Sequence, residues 1–179
     1  PYWAPVPDPF DPEFKNSVNK MIEEQILQYD VADDEWCLGV FVDNEIAWGN
    51  PANTKEKYAL ITNILAQDAS APTSYAKRAM ISFLKDKYSN NIQSLNEAWG
   101  TTIKSFEELK APFRPVSIEQ GMIADYSEML YVLADKYYSV VDAALNEKLP
   151  NVLYLGSRLA EWGAPLEVIE AAAKYVDVM

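Results

Sequence analysis

WCLGVFVDNEIAW, residues 36–48, is the stretch on which the reading of the fold turns. Its apolar run Leu38-Gly39-Val40-Phe41-Val42 is short, rich in β-branched and aromatic residues, and stops abruptly at Asp43-Asn44-Glu45. A run of that length and make-up predicts a strand over 37–43, buried on both faces as in a parallel sheet, with carboxylates delivered at its carboxyl end. The dipeptide Asn-Glu carries nothing alone, because it recurs at Asn96-Glu97 and Asn146-Glu147 in helical text. Only Glu45 follows a continuous apolar run.

Upstream of that strand, Pro1, Pro5, Pro7, Pro9 and Pro12 fix φ and remove backbone donors, which predicts a proline-rich loop over 1–11. Asp11 can cap and Pro12 is tolerated in a first turn, so a helix is expected over 12–29 with Phe14, Val18, Met21, Ile22, Ile26 and Leu27 inward. Residues 30–35 form an acidic connector. Downstream, helical spacing predicts elements over 55–66, 74–88 and 92–99, the last closed by Gly100, and a turn over 105–109. The text over 118–148 reads as one long helix whose stripe, Met122, Ile123, Tyr126, Met129, Leu130, Leu133, Tyr137, Val140, Val141 and Leu145, is core. A second apolar strand over 151–156 runs into Ser157-Arg158, a helix follows over 165–175, and Val176-Asp177-Val178-Met179 opens a third strand. This alternation predicts an α/β chain, one domain over 1–179, with parallel strands joined by right-handed crossovers and the chain ending inside its third strand.

Composition narrows the chemistry. The 179 residues are 49% hydrophobic and 23% charged, as expected of a soluble globular protein. Fifteen basic residues against 27 acidic ones give a net charge of -12, which argues against nucleic acid as a partner. No apolar run approaches the roughly 20 residues needed to cross a bilayer, so no membrane partner is expected. From the start at Pro1 rather than methionine a processed or excised segment is expected. There is no histidine and one cysteine, Cys37, which excludes histidine triads, zinc-type clusters and an intrachain disulfide. Cys37 beside the apolar strand is expected to be a buried, inert thiol. No metal or other cofactor is expected, and carboxylates remain for acid and base work.

Three blocks in order, LGVFVDNEIAWG (38–49), FLKDKYSNNIQSLNEAWGTTIKSFEEL (83–109) and VLYLGSRLAEWGAPLEVIEAAAKYVDVM (152–179), resemble the clan A glycoside hydrolases, especially the family 50 β-agarases and the family 42 β-galactosidases. The resemblance covers most of 10–179. It implies a partial (β/α)8 TIM barrel, with 37–45 as its fourth strand, 151–158 as its fifth and 176–179 opening its sixth. It also implies a galactose-containing oligo- or polysaccharide as substrate, and a secreted or periplasmic parent enzyme.

Carried over residue by residue, the family pattern places a general acid/base on Glu45. It places on Asn44 an amide that binds the sugar hydroxyl beside the anomeric centre. A retaining glycosidase needs a second carboxylate about 5 Å from the first as nucleophile. In the family it lies on strand seven, and this chain ends before it, so the resemblance implies a central barrel fragment that is inactive alone. Neither Glu161 nor Asp177 matches that position. Trp48 and Trp162 are candidates for stacking on sugar faces or, equally, for covering the core. Arg158 is a candidate ligand for a sugar oxygen or a site carboxylate, or a plain salt bridge. Asp43 is expected to orient a neighbour or to make a structural contact. Open strand edges make a homo-oligomer an expectation as well. Two rival readings stand beside the hydrolase: a noncatalytic carbohydrate-binding module that keeps its groove through Asn44, Trp48 and Arg158, and a helical interaction protein working through 118–148.

Overall fold

The computed structural model describes residues 6–179, so the first part of the loop expected over 1–11 lies outside the described residues. Helix α1 (Phe14–Gln25) starts later than the spacing suggests. The Asp11 carboxylate accepts the Glu13 N–H at 2.9 Å, and the Asp11 carbonyl accepts from Phe14, which makes a turn ahead of the helix rather than a cap on it. Phe14, Val18 and Ile22 face inward, and the chain continues as a 3₁₀ turn, Leu27–Tyr29, closed by Asp30 at φ 55°.

The two central strands pair in parallel. In β1 (Gly39–Val40) and β2 (Leu153–Tyr154), Gly39 lies opposite Leu153 and Val40 opposite Tyr154. The same register returns further along, where Asn44 bridges Arg158. Between them Leu155 donates to the Val40 carbonyl and Val42 to the Gly156 carbonyl, both at 2.9 Å. The regular strands are thus shorter than the apolar runs, but the pairing they start extends to the carboxyl end of both. Residues 176–179 form no strand. Asp177 nevertheless docks on the other edge of β2: its N–H donates to the Tyr154 carbonyl at 2.9 Å, and its carboxylate accepts the Tyr154 N–H at 2.8 Å.

One expectation fails on β1. A strand buried on both faces requires cover on both, whereas Leu38 is 72% and Phe41 57% exposed beside a buried Val42. Trp36 also stands in solvent, and Cys37 is half-buried rather than buried. A continuous apolar run does not say which residues would supply the cover, and among the described residues Leu38 and Phe41 have little.

Helices supply most of the core. After β1 come α2 (Thr54–Lys57), capped by the Asn53 side chain, and α3 (Ala59–Leu65), one helical stretch broken at Tyr58. Then follow α4 (Tyr75–Lys87) and α5 (Ile92–Trp99), the latter capped by Asn91 and ended by Gly100 at φ 63°, where a left-handed turn favours glycine. A 3₁₀ turn at Glu108–Lys110 precedes α6 (Gln120–Lys148), the 29-residue spine of the fold. The predicted stripe of α6 is buried, with Ile123 and Val140 at its half-buried margins. Helix α6 packs against α1, α3, α4, α5 and α7 (Leu166–Ala172). Gly121 lets α5 and α6 close up, since a Cβ there would lie 2.0 Å from the Ala98 carbonyl oxygen. The result is a mostly helical α/β fold whose parallel pair presents its carboxyl ends together. Among the described residues no helix is long and apolar enough to cross a membrane.

Candidate active site

At the carboxyl end of the pair, Arg158 holds two consecutive residues of the neighbouring strand. Its Nη1 donates to Asn44 Oδ1 and to Glu45 Oε1, each at 2.8 Å. The backbone sets this up: Arg158 donates its N–H to the Asp43 carbonyl at 3.3 Å and accepts the Glu45 N–H at 2.8 Å. Arg158 is therefore the cross-strand neighbour of Asn44, and the two side chains share a face. Glu45 should by alternation point to the other face. It does not, because Asp43 and Glu45 hold φ 74° and 56°, left-handed values that break the pleat on either side of Asn44. Each such non-glycine residue costs about 1–2 kcal/mol, and residues held this way cluster at functional sites. The partner strand bends at the same level through Gly156, at φ 78°.

The Arg158–Glu45 pair is not a stability device. The Arg158 side chain is 64% and that of Glu45 34% exposed, and an ion pair of that exposure contributes about 0–1 kcal/mol. What it supplies is geometry: one carboxylate and one amide, side by side, open to solvent and aimed by a common cation.

Asp43 turns away from this group. It lines a recess of about 290 Å³ with Asp8, Asp11, Glu13, Phe14 and Tyr137. Asp43 keeps solvent access, yet the protein around the recess partly desolvates its carboxylate and raises its pKa to about 6. Behind the site the Tyr138 hydroxyl donates to Ser157 Oγ at 3.3 Å, beneath the turn that presents Arg158. Burial raises the Tyr138 hydroxyl above its ordinary pKa.

The tryptophans divide. Trp48 is fully buried, edge-on to Tyr137 at 5.3 Å between ring centroids and stacked on Tyr138 at 6.2 Å. With no accessible ring face it does not stack on a sugar in this structure; of the two expectations, packing is the one its surroundings fit. Trp162, on a 3₁₀ turn at Glu161–Gly163, is 38% exposed and shares a recess of about 430 Å³ with Trp48, Asn50, Glu56 and Asn63. The two loops meet where the Trp48 backbone N–H donates to the Gly163 carbonyl at 3.0 Å.

The other Asn-Glu pairs are spent on structure. Asn96 clamps the turn after α5, donating to the Ile103 carbonyl and accepting from Thr101 and Ile103. Asn146 bonds Asp142 along α6, and Glu147 pairs with Lys15. Asp177 is committed to Tyr154, and Glu161 lies exposed at the surface. Among the described residues no group of three or more acidic, cysteine or histidine side chains is placed to hold a metal ion. The candidates Asn44, Glu45 and Arg158 lie together here, on a left-handed backbone that sequence reasoning missed. The local signals were slight: the tolerance of Asp for that conformation at Asp43, and Gly156 ending the second apolar run, with nothing in the text to mark Glu45.

Comparison with known proteins places this geometry in a family. The glycoside hydrolase 42 β-galactosidase family model matches residues 10–179. Among curated proteins, the chain is 46% identical over 179 residues to β-agarase B and 39% identical over 181 residues to β-agarase A, both of Vibrio sp. (strain JT0107). Each alignment takes in 99% of this chain but 18% of the relative, so the chain spans less than a fifth of the length of these agarases. Among solved structures, the crystal structure of the agarase AgWH50C superposes with a TM-score of 0.91 at 35% identity, over 98% of this chain and 24% of that one. An exo-β-agarase superposes with a TM-score of 0.88 at 36% identity, over 96% and 23%.

Proposed function

Because the chain belongs to the glycoside hydrolase 42 β-galactosidase family, we propose that its residues form one sector of a (β/α)8 catalytic barrel, in which Glu45 is the general acid/base of a retaining glycosidase. On this reading β1 and β2 are the fourth and fifth barrel strands, and Asp177 docks on the edge of β2 where a sixth would pair. The substrate is a galactose-containing oligo- or polysaccharide, in keeping with the agarases to which the chain is similar.

The observation that carries the reading is the position of Glu45: at the carboxyl end of a parallel strand, where barrel enzymes build their chemistry, and paired with the adjacent Asn44 by Arg158. In the first step Glu45 gives its proton to the glycosidic oxygen as the C–O bond breaks, while a carboxylate nucleophile attacks the anomeric carbon. In the second it takes a proton from the water that releases the sugar. Asn44 donates to the sugar hydroxyl beside the anomeric centre. Trp162 offers an apolar face at the rim. The nucleophile comes from outside these 179 residues, which by themselves do not turn over glycosides.

The test is hydrolysis of agarose oligosaccharides and an aryl β-galactoside. In the full natural chain that carries these residues, Glu45→Gln abolishes turnover of substrates with poor leaving groups and leaves folding intact; near-normal turnover removes Glu45 from the mechanism. The 179 residues alone show no turnover. Robust hydrolysis by them, lost on Glu45→Gln, would place a nucleophile within the chain and overturn the sector reading.

A further inference from the structure

We propose that Arg158 is the positioning residue of this site: by engaging Asn44 Oδ1 and Glu45 Oε1 with one guanidinium nitrogen, it fixes the Asn44 amide as a donor toward the sugar and assigns the travelling proton to Glu45 Oε2. The inference rests on the acid/base reading of Glu45 and adds the device that orients it.

The argument begins with the donor inventory. A guanidinium has five N–H donors, no acceptor and a permanent charge. An amide has one acceptor face and one donor face, and turning it over would set its NH₂ against the cation. With Oδ1 at 2.8 Å from Nη1, the Asn44 NH₂ is directed away from Arg158, so the group it recognises must accept a hydrogen bond. A sugar hydroxyl oxygen does so. The carboxyl group is divided in the same way. Oε1, at 2.8 Å from Nη1, already accepts from a cation and is the poorer place for a proton. When Glu45 is protonated, the proton therefore rides on Oε2. It passes from there to the glycosidic oxygen as that oxygen takes the electrons of the breaking C–O bond, and it is replaced from the attacking water in the second step.

The fold holds Arg158 to this task from both ends. Its backbone bonds residues 43 and 45, on either side of Asn44, so the guanidinium starts from a fixed point opposite the amide. The left-handed φ of Glu45 brings the carboxylate to the same face. The ion pair adds little to stability because its side chains are 64% and 34% exposed, and the left-handed backbone costs some.

The experiment uses the full natural chain with Arg158→Gln, Arg158→Lys, Asn44→Ala, the Asn44→Ala/Arg158→Gln double variant and a Glu45→Gln control. The substrates are an aryl β-galactoside and its analogue lacking the hydroxyl beside the anomeric carbon. Loss of the cation in Arg158→Gln lowers kcat, and Arg158→Lys, which keeps the charge but not the planar fork, restores part of it. A merely structural role would lower activity on the substrate and on its deoxy analogue alike. Deleting the sugar hydroxyl costs less in Arg158→Gln than in the parent, and the Asn44 and Arg158 losses combine to less than the product of their separate fold-changes. An unchanged cost of deleting the hydroxyl together with independent losses overturns the positioning role. Full turnover by Glu45→Gln removes instead the acid/base reading beneath it, so the two failures are told apart.

Discussion

The indole Nε1 of Trp99 donates to Asp125 Oδ2 at 2.5 Å, joining the last turn of α5 to α6. The same oxygen accepts from the Tyr88 hydroxyl at 2.7 Å, and Oδ1 pairs with Lys87 Nζ at 2.8 Å. Asp125 is 1% exposed, so each of these partners offsets its lost hydration. Removing the carboxylate leaves the buried indole N–H and the Tyr88 hydroxyl without their acceptor, while the Lys87 ammonium keeps Glu128. With two donors left unsatisfied, Asp125→Ala should therefore cost about 2–5 kcal/mol, and Trp99→Phe, which deletes one donor, about 1–3 kcal/mol. Urea unfolding measures both. A cost below about 1 kcal/mol for Asp125→Ala would mean that the cluster behaves like a surface pair.

How much of this was legible follows from the range of the interactions. The α6 stripe and the ends of α5 were legible because period, cap and glycine are local: Asn91, Gly100 and Met122 to Leu145 act on their own helix. The parallel pair was legible from two apolar runs, and the convergence of Asn44, Glu45 and Arg158 from the polar residues ending each run. Trp48 was not, because its fate is decided by Tyr137 and Tyr138, about ninety positions away on α6. Nor was the break in the pleat at Asp43 and Glu45, since an apolar run followed by acids has the same text whether its end is extended or left-handed.

Lys77 gives a pH signature. It is fully buried and donates to the carbonyls of Leu65, at 2.5 Å, and Ala111, at 3.3 Å. Burial lowers its pKa from 10.5 to about 8, against a smaller pull from Asp68. Below pH 8 both folded and unfolded chains carry the charge, and the folded state bears the full desolvation cost. Between about pH 8 and 10.5 the folded state loses its proton first, so this cost recedes and stability rises with pH. Lys77→Met cannot titrate. The wild type should thus gain on this variant by on the order of 2 kcal/mol between pH 7.5 and 10. A constant difference across that window, by chemical denaturation at each pH, would show that Lys77 does not titrate there.

Asp43 titrates with the opposite charge and in another window. Its folded pKa of about 6 lies above the ordinary 3.8, so between those values the unfolded chain ionises first and stability falls as pH rises. The cost is complete above pH 6 and absent below pH 4. Asparagine tolerates the left-handed φ of 74° as aspartate does, so Asp43→Asn removes the charge and keeps the turn. Its solvent access limits the effect, and Asp43→Asn should stabilise the chain at pH 7 by less than about 1 kcal/mol, vanishing by pH 4. Thermal unfolding at the two pH values reads the difference. A stabilisation of equal size at pH 4 would assign it to the backbone rather than the charge.

The strain at Glu45 can be read separately from its chemistry by comparing two truncations. In most positions glycine is less stable than alanine by roughly 0.5–1 kcal/mol, because it loses more backbone freedom on folding. At φ 56° the order should invert, since the Cβ of alanine meets the backbone in a left-handed conformation and glycine has none. Both variants lose the Arg158 ion pair, so that term cancels. Glu45→Gly is expected to be more stable than Glu45→Ala by about 1 kcal/mol in urea unfolding. If Glu45→Ala is the more stable, residue 45 does not hold the left-handed turn in solution, and the shared grip of Arg158 on Asn44 and Glu45 has no backbone to support it. If the inversion appears, the chain carries at this position a cost that a glycine would relieve. It keeps a glutamate there because only this turn brings the carboxylate round beside Asn44, onto the face that Arg158 commands.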